Sequence, residues 1–142
     1  MPLSYSEKFE GFLKKRILVV EDHAAVRQGI VETINRESDL MVCGEAEDMS
    51  LALEAISFVR PDLVLIDIQL KSSSGLSLVR ILHQEHPELL TVGMTMFDPV
   101  RYEKKARAAG VCGFIVKQEG PEKLLTAIRK ALFAKPLATD SQ

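Results

Sequence analysis

The sequence predicts a doubly wound α/β domain, with a five-stranded parallel sheet and helices on both faces of that sheet. Short apolar runs alternate with helix-length segments five times in succession from residue 16 onward. Four of the five runs are apolar through most of their length. Such runs are typical of strands that are buried on both faces of a parallel sheet.

The predicted strands are the apolar runs at 17–20, 41–44, 63–66, 89–95 and 113–116. Four of the five helices are predicted from residues that recur at three- and four-residue spacing. In chain order these residues are Val26, Ile30 and Ile34; Ala52, Ala55, Ile56 and Val59; Val79, Leu82 and His86; and Leu124, Leu125, Ile128 and Leu132.

The fourth helix, predicted at 99–109, has a different composition. Asp98 and Pro99 predict its start, as a capping residue followed by proline, and Gly110 predicts its end. Its body is mostly charged and carries hardly any stripe of large apolar residues. Because a helix that buries little is held weakly, we expect this helix to move at small cost.

Composition excludes several classes of protein. The chain has 142 residues, of which 46% are hydrophobic and 27% charged, as in one globular domain. Its net charge of −2 argues against a nucleic-acid-binding surface. Its apolar runs are far shorter than the roughly 20 residues of a membrane helix, and no stretch resembles a signal peptide. Cys43 and Cys112 lack the spacing of a zinc site, so we expect two buried thiols in a reducing cytoplasm.

Three segments are predicted along the chain: an N-terminal extension at 1–15, the folded domain at 16–134, and a linker or tail at 135–142. Within the extension, the apolar residues allow either one helical turn that packs on the domain or a frayed terminus. These residues are Tyr5, Phe9, Phe12 and Leu13.

Polar residues lie at the carboxyl ends of the predicted strands, where open α/β sheets form their binding crevice. They are Glu21, Asp22, Asp67, Thr95 and Lys117. Each pair of carboxylates in contact repels by roughly 1 kcal/mol in water and about 4 kcal/mol when partly shielded. A fold tolerates three of them together only if a cation relieves the repulsion, and oxygen ligands favour Mg²⁺.

The same residues fit phosphoryl transfer. An aspartate carboxylate such as Asp67 can attack phosphorus and form an acyl phosphate. The metal and Lys117 would neutralise the phosphoryl oxygens, and Thr95 can donate a hydrogen bond to one of them.

Four stretches of the chain carry a resemblance to a known family. They are VVEDH at 19–23, LVLIDIQLKSSSG at 63–75, VGMTMFD at 92–98 and GFIVKQEGPEKL at 113–124. From about residue 16 to 132 the chain resembles the receiver domain of bacterial two-component response regulators. It looks most like the NarL/FixJ subfamily, whose members carry a C-terminal helix-turn-helix domain.

The resemblance implies a flavodoxin-like fold with strand order 2-1-3-4-5 and a bound Mg²⁺. The metal ligands would be Glu21, Asp22, Asp67 and the backbone carbonyl of Gln69. Asp67 would take a phosphoryl group from the phosphohistidine of a sensor kinase or from a small acyl phosphate. The protein would catalyse only its own phosphorylation and dephosphorylation, so it would not be an enzyme in the usual sense.

The resemblance also implies a conformational switch. Lys117 would pair with the phosphate, Thr95 would move toward it, and Phe114 would rotate inward into the vacated space. The surface formed by the fourth helix, fifth strand and fifth helix would change shape. Homodimerisation on phosphorylation is one expected consequence. DNA would be contacted only through a domain absent from this chain.

Three positions depart from the family pattern. Lys71 replaces a frequent proline, so we expect a more mobile loop there. Met96 replaces a frequent alanine and would narrow access to Asp67. Gln118 follows Lys117 where many members have a cis proline, so no cis peptide is expected.

Other functions stay open as alternatives. An aspartate-nucleophile phosphatase would need a general acid two residues after Asp67, where this chain has Gln69. A flavin or nucleotide carrier would need a phosphate-binding loop after the first strand, where Glu21, Asp22 and His23 would repel an anion. We expect His23 itself to be a partly exposed loop residue. The output is either transcription, through a DNA-binding domain beyond residue 134, or protein–protein contact by a stand-alone receiver.

Overall fold

The computed structural model describes residues 14–134, which form one parallel sheet flanked by helices. The strands are β1 (Lys15–Val20), β2 (Leu40–Ala46), β3 (Leu63–Asp67), β4 (Leu90–Thr95) and β5 (Gly113–Val116). Their order is β2-β1-β3-β4-β5, and every pairing is parallel. The predicted fold class and strand order are confirmed.

Helices connect the strands on both faces of the sheet. They are α1 (Ala24–Asn35), α2 (Met49–Val59), α3 (Gly75–Glu85), α4 (Pro99–Ala109) and α5 (Pro121–Phe133). A short 3-10 turn, Lys117–Glu119, joins β5 to α5. None of these helices is both long enough and apolar enough to cross a membrane.

The sheet separates two hydrophobic cores. Alternate residues of β1 enter different cores: Leu18 and Val20 pack with α2, α3 and α4, whereas Ile17 and Val19 pack with α1 and α5. All five residues of β3 are buried. This two-sided burial is the physical reason that the central strands read as continuous apolar runs.

Helix α4 lies where the sequence predicts it but starts differently. It buries only Ala106 and Ala109 completely, in agreement with its weak apolar stripe. The predicted side-chain cap is wrong: Asp98 adopts the left-handed conformation, with φ 51° and ψ 57°, and makes no capping hydrogen bond. A capping side chain reaches the first turn from an extended backbone, which Asp98 does not have. Gly110, with φ 127°, ends the helix as predicted.

The two cysteines differ from the prediction. Cys112 is exposed, in the turn that leads into β5, and Cys43 is half-buried because β2 is an edge strand. Burial raises the pKa of the Cys43 thiol. Tyr5 to Leu13, for which a helical turn and a frayed terminus were both left open, and the predicted linker or tail at 135–142 lie outside the described residues.

Candidate functional site

The first wall of the crevice is the segment that follows β1. Glu21 continues the strand, since its N–H donates to Ala46 of β2 at 3.0 Å, and its side chain is fully buried. Arg27 on α1 donates to the Glu21 carbonyl at 2.6 Å and to Glu45 at 3.1 Å. The backbone of Glu21 is therefore fixed from both the sheet and the first helix.

Asp67 is the last residue of β3, and only 3% of it is exposed. Its Oδ1 accepts the backbone N–H of Gln69 at 2.8 Å, and its Oδ2 accepts from the Lys117 ammonium at 3.0 Å. Both carboxylate oxygens are thus held, one by backbone and one by a cation. A buried carboxylate needs such partners because burial disfavours its charge.

Lys117 bridges the segment that follows β1 and the end of β3. Its Nζ lies 2.5 Å from Glu21 Oε1 and 3.0 Å from Asp67 Oδ2, and its side chain is 9% exposed. Burial alone would lower the pKa of Lys117, but the two carboxylates outweigh that effect and the net shift is upward. Burial raises the pKa of the Glu21 carboxyl, and the Asp67 charge adds to the shift. The Lys117 ammonium opposes it.

Asp22 lies at the rim of the crevice, beside Glu21. Its Oδ2 accepts the backbone N–H of Lys71 at 2.8 Å, whereas its Oδ1 is buried and has no hydrogen-bond partner within residues 14–134. Burial raises the pKa of the Asp22 carboxyl, but the hydrogen bond from the Lys71 backbone N–H is the largest of the effects that outweigh burial, so the net shift is downward. Asp22 is therefore a charged oxygen donor that lacks a full set of partners.

These oxygens fit a hard divalent cation. Ligand atoms of Glu21, Asp22 and His23 lie within 4.8 Å of one another. The unpartnered Asp22 Oδ1 is the observation that favours a bound ion, because a buried carboxylate oxygen without a partner costs free energy. Carboxylate oxygens select Mg²⁺ over softer metals. His23, with a side chain 49% exposed, is the partly exposed loop residue that was predicted.

Hydrogen bonds hold the loop between β3 and α3 at several points. The Lys71 N–H is bonded to Asp22, and Ser73 Oγ accepts the N–H of Met49 at 3.1 Å. Ser74 caps α3 through a bond from the Ser77 N–H at 3.1 Å. A proline at position 71 would lack the donor that holds Asp22.

Thr95 ends β4 and is fully buried. Its Oγ1 lies 2.8 Å from Gln69 Oε1 and 2.8 Å from the Phe97 carbonyl, and it makes no hydrogen bond to Asp67. Phe114, on β5, is half-buried and packs against the core shared with α2, α3 and α4. Thr95 therefore lies at the crevice without engaging the aspartate in this structure.

Two glutamine side chains at the site escaped sequence reasoning. Gln69 Oε1 accepts from Thr95, and Gln118 Nε2 donates to the Met96 carbonyl at 2.8 Å. Glutamine is common on surfaces, so neither residue type signals such a contact. No cis peptide bond occurs between residues 14 and 134, as expected for Gln118.

Comparison with known proteins matches this chain to response regulators. The family model of the response regulator receiver domain matches residues 17–129. The transcriptional regulatory protein YxjL of Bacillus subtilis is 32% identical over 118 residues, which are 83% of this chain and 54% of that protein. Response regulator GacA of Pseudomonas viridiflava is 32% identical over 80% of this chain and 53% of GacA. The chain thus spans about half the length of these curated relatives.

A solved structure is similar as well. It is the crystal structure of a two-component response regulator of the LuxR family from Aurantimonas sp. SI85-9A1. The superposition has a TM-score of 0.79 at 30% sequence identity and covers 84% of this chain and 85% of the other. The sequence comparison and the structural comparison therefore indicate the same family.

Proposed function

Because the chain belongs to the family of response regulator receiver domains, we propose that it is a phosphorylation switch whose phosphate acceptor is Asp67. Members of this family interact with histidine kinases. The observation that carries the proposal is the bridge from Lys117 to both Glu21 and Asp67, beside the unpartnered oxygen of Asp22. It supports the proposal because a buried carboxylate, a fixed cation and further acidic oxygens lie in one crevice.

The proposed reaction transfers a phosphoryl group from a donor, either a phosphohistidine or a small acyl phosphate, to Asp67. A carboxylate oxygen of Asp67 forms a new P–O bond while the P–N bond of a phosphohistidine breaks, and the departing imidazole nitrogen keeps the electron pair. With a small acyl phosphate, a P–O bond breaks and the carboxylate departs. The charge on Asp67 makes it competent as a nucleophile without a separate general base.

Lys117 serves this transfer by position. It already lies 3.0 Å from Asp67 Oδ2, so the transferred group would arrive next to a positive charge. Receiver domains generally bind Mg²⁺ at an acidic pocket, and here Glu21, Asp22, Asp67 and the Gln69 carbonyl would hold the ion. When bound, Mg²⁺ would supply charge neutralisation for the phosphoryl oxygens.

The response to phosphorylation is proposed to run through Thr95 and Phe114. Thr95 would move its hydroxyl to a phosphoryl oxygen, and Phe114 would turn inward, changing the surface of α4, β5 and α5. Support comes from the weak anchoring of α4, which buries only two alanines completely. A dimer of the phosphorylated form is part of the same proposal.

Phosphorylation can be tested by incubation with acetyl phosphate and Mg²⁺, followed by intact-mass measurement. We expect one added phosphoryl group, no labelling of Asp67→Asn, and no labelling in the presence of a chelator. Asp98→Asn, an exposed aspartate near the crevice, is the matched control and should be labelled like the wild type. Labelling that survives in Asp67→Asn would reject the mechanism.

The output is proposed to be transcription in the bacterial cytoplasm. Relatives named as transcriptional regulators favour this output, whereas a stand-alone receiver acting through protein contacts is the alternative. Sequencing the encoding reading frame past codon 142 distinguishes the two. A following helix-turn-helix domain supports transcription, and an immediate stop codon supports the stand-alone form.

A further inference from the structure

The hydroxyl of Thr95 is engaged by two acceptors, neither of which is the Asp67 carboxylate. It has a single proton, and two acceptors lie at 2.8 Å, Gln69 Oε1 and the Phe97 carbonyl. Thr95 must withdraw this proton from the two acceptors before it can donate to a phosphoryl group on Asp67. The unphosphorylated arrangement thus contains a hydrogen bond, shared between these two acceptors, that would have to be exchanged on phosphorylation.

Gln69 is placed to link the acceptor to this hydroxyl. Its backbone N–H holds Asp67 Oδ1 at 2.8 Å, while its side-chain oxygen holds Thr95. The same oxygen lies 3.4 Å from the Met96 N–H, on the loop that follows β4. One residue thus contacts both the site of modification and the residue that is proposed to respond to it.

Gln118 holds the same loop from the opposite side. Its Nε2 donates to the Met96 carbonyl at 2.8 Å, but it does not contact Thr95. The backbone N–H and the backbone carbonyl of Met96 are thus contacted by two different side-chain amides, of which only that of Gln69 also contacts the threonine hydroxyl. This difference makes Gln118 a control for effects of loop rigidity alone.

On the basis of the proposed function, we propose that the Gln69 side chain is a latch that keeps Thr95 in its unphosphorylated position. Gln69 is then a positioning residue: it sets how readily the switch leaves its resting state, and it does not touch the phosphoryl group. A neutral hydrogen bond shifts an equilibrium by about two- to tenfold. The latch should bias the switch by a factor of that size.

The direct test follows the Thr95 methyl group by NMR in the unphosphorylated protein, with threonine labelled by ¹³C. The informative variant is Gln69→Met, which keeps the shape of the side chain but loses its acceptor. We expect three-bond couplings of one rotamer in the wild type and of mixed rotamers in Gln69→Met. Gln28→Met, an exposed glutamine on α1, is the control and should leave Thr95 unchanged.

Gln118→Ala separates the latch from general loosening of the loop. It should shift the Met96 amide signal but leave the Thr95 couplings as in the wild type. The latch is refuted if the Thr95 couplings in Gln118→Ala show rotamer averaging as strong as that in Gln69→Met. It is equally refuted if Thr95 keeps one rotamer in Gln69→Met.

A second measurement uses beryllofluoride with Mg²⁺, a mimic of the phosphoryl group, titrated by calorimetry. Gln69→Met should bind it about two- to tenfold more tightly than the wild type, because the contact from Thr95 to Gln69 no longer has to be broken and only the Phe97 carbonyl competes for the hydroxyl proton. Weaker or equal binding contradicts the latch. If the wild type neither binds beryllofluoride nor accepts phosphate, the proposed function fails, and the NMR result still decides the latch.

Discussion

The two loops that border the crevice are built differently. The loop between β3 and α3 is fixed by a hydrogen bond from the Lys71 N–H to the Asp22 carboxylate and by Gly75, which packs directly on the backbone of residues 67 and 68. The loop between β4 and α4 is held by two glutamine side chains. It carries Phe97, which is 65% exposed, and the left-handed Asp98.

This difference matches the two tasks of the proposed phosphorylation switch. A nucleophile benefits from a fixed position, because misplacement of the reacting group costs rate. A responding residue needs contacts that can be exchanged at small cost. Substitutions in the loop that follows Asp67 are therefore predicted to lower the free energy of unfolding strongly. Substitutions in the loop that follows Thr95 should lower it only slightly.

The largest effect is expected at Gly75. A Cβ there would lie 2.6 Å from Ile68 Cα and press on the Asp67 carbonyl, and neither backbone group can move aside. Gly75→Ala should lower the free energy of unfolding by about 4 kcal/mol or more, measured by urea denaturation. Gly29→Ala is the control, since nothing lies within 4 Å of its Cβ; it should stabilise α1 by about 0.5–1 kcal/mol. A mild effect of Gly75→Ala would show that this loop is not rigid.

Lys117→Met should have the next largest effect. Its loss leaves Glu21 and Asp67 buried beside each other, and we expect a loss of about 3 kcal/mol near pH 7. The pKa of Glu21, already raised by burial, should rise further without the ammonium. A raised carboxyl pKa stabilises the folded state at low pH and loses that contribution as pH rises.

The deficit of Lys117→Met should therefore shrink as pH falls toward about 4.5, the ordinary pKa of glutamate. Urea midpoints between pH 4.5 and 8 measure this dependence. Lys123→Met, an exposed lysine on α5, should show neither the loss nor the pH dependence. A deficit that stays constant with pH would mean that Glu21 does not take up the proton.

A moderate effect is expected at the cap of α3. Ser74 Oγ accepts the Ser77 N–H, so Ser74→Ala should cost about 1 kcal/mol in thermal or urea unfolding. Ser57, exposed within α2, makes only a long contact to a backbone carbonyl, and Ser57→Ala should be neutral within about 0.5 kcal/mol. Equal costs for the two variants would show that the cap does not stabilise the loop.

The smallest effect is expected at Asp98. Glycine adopts the left-handed conformation without steric cost, and no capping bond is lost, so Asp98→Gly should stabilise the protein by about 0.5 kcal/mol. Asp98→Ala should destabilise it by about 1 kcal/mol. If both variants unfold like the wild type, the backbone at Asp98 is not strained.

Collective signals in the sequence were sufficient for the fold class, whereas the strand order came from the resemblance to a family. Continuous apolar runs at β1 and β3 reflect burial on both faces, and the helices were marked by repeated spacing. The convergence of Glu21, Asp67 and Lys117 was also predictable, because each follows or ends a parallel strand and these ends meet at one edge.

Individual contacts were not predictable in the same way. The bond from Lys71 to Asp22 uses a backbone N–H, which every residue except proline possesses. The contacts of Gln69 and Gln118 depend on which rotamers long side chains adopt. The wrong cap at Asp98 and the exposed Cys112 have a common cause: local sequence does not specify how a loop meets the rest of the domain.

Gly93 leaves a position without a side chain in the middle of β4. A Cβ at this position would lie 3.0 Å from Ile68 and 3.1 Å from Phe114. The side chains of Ile68 and Phe114 thus occupy the space that a side chain at position 93 would need. In the proposed switch, the size of Ile68, which follows Asp67, should therefore limit how far the ring of Phe114 can turn inward.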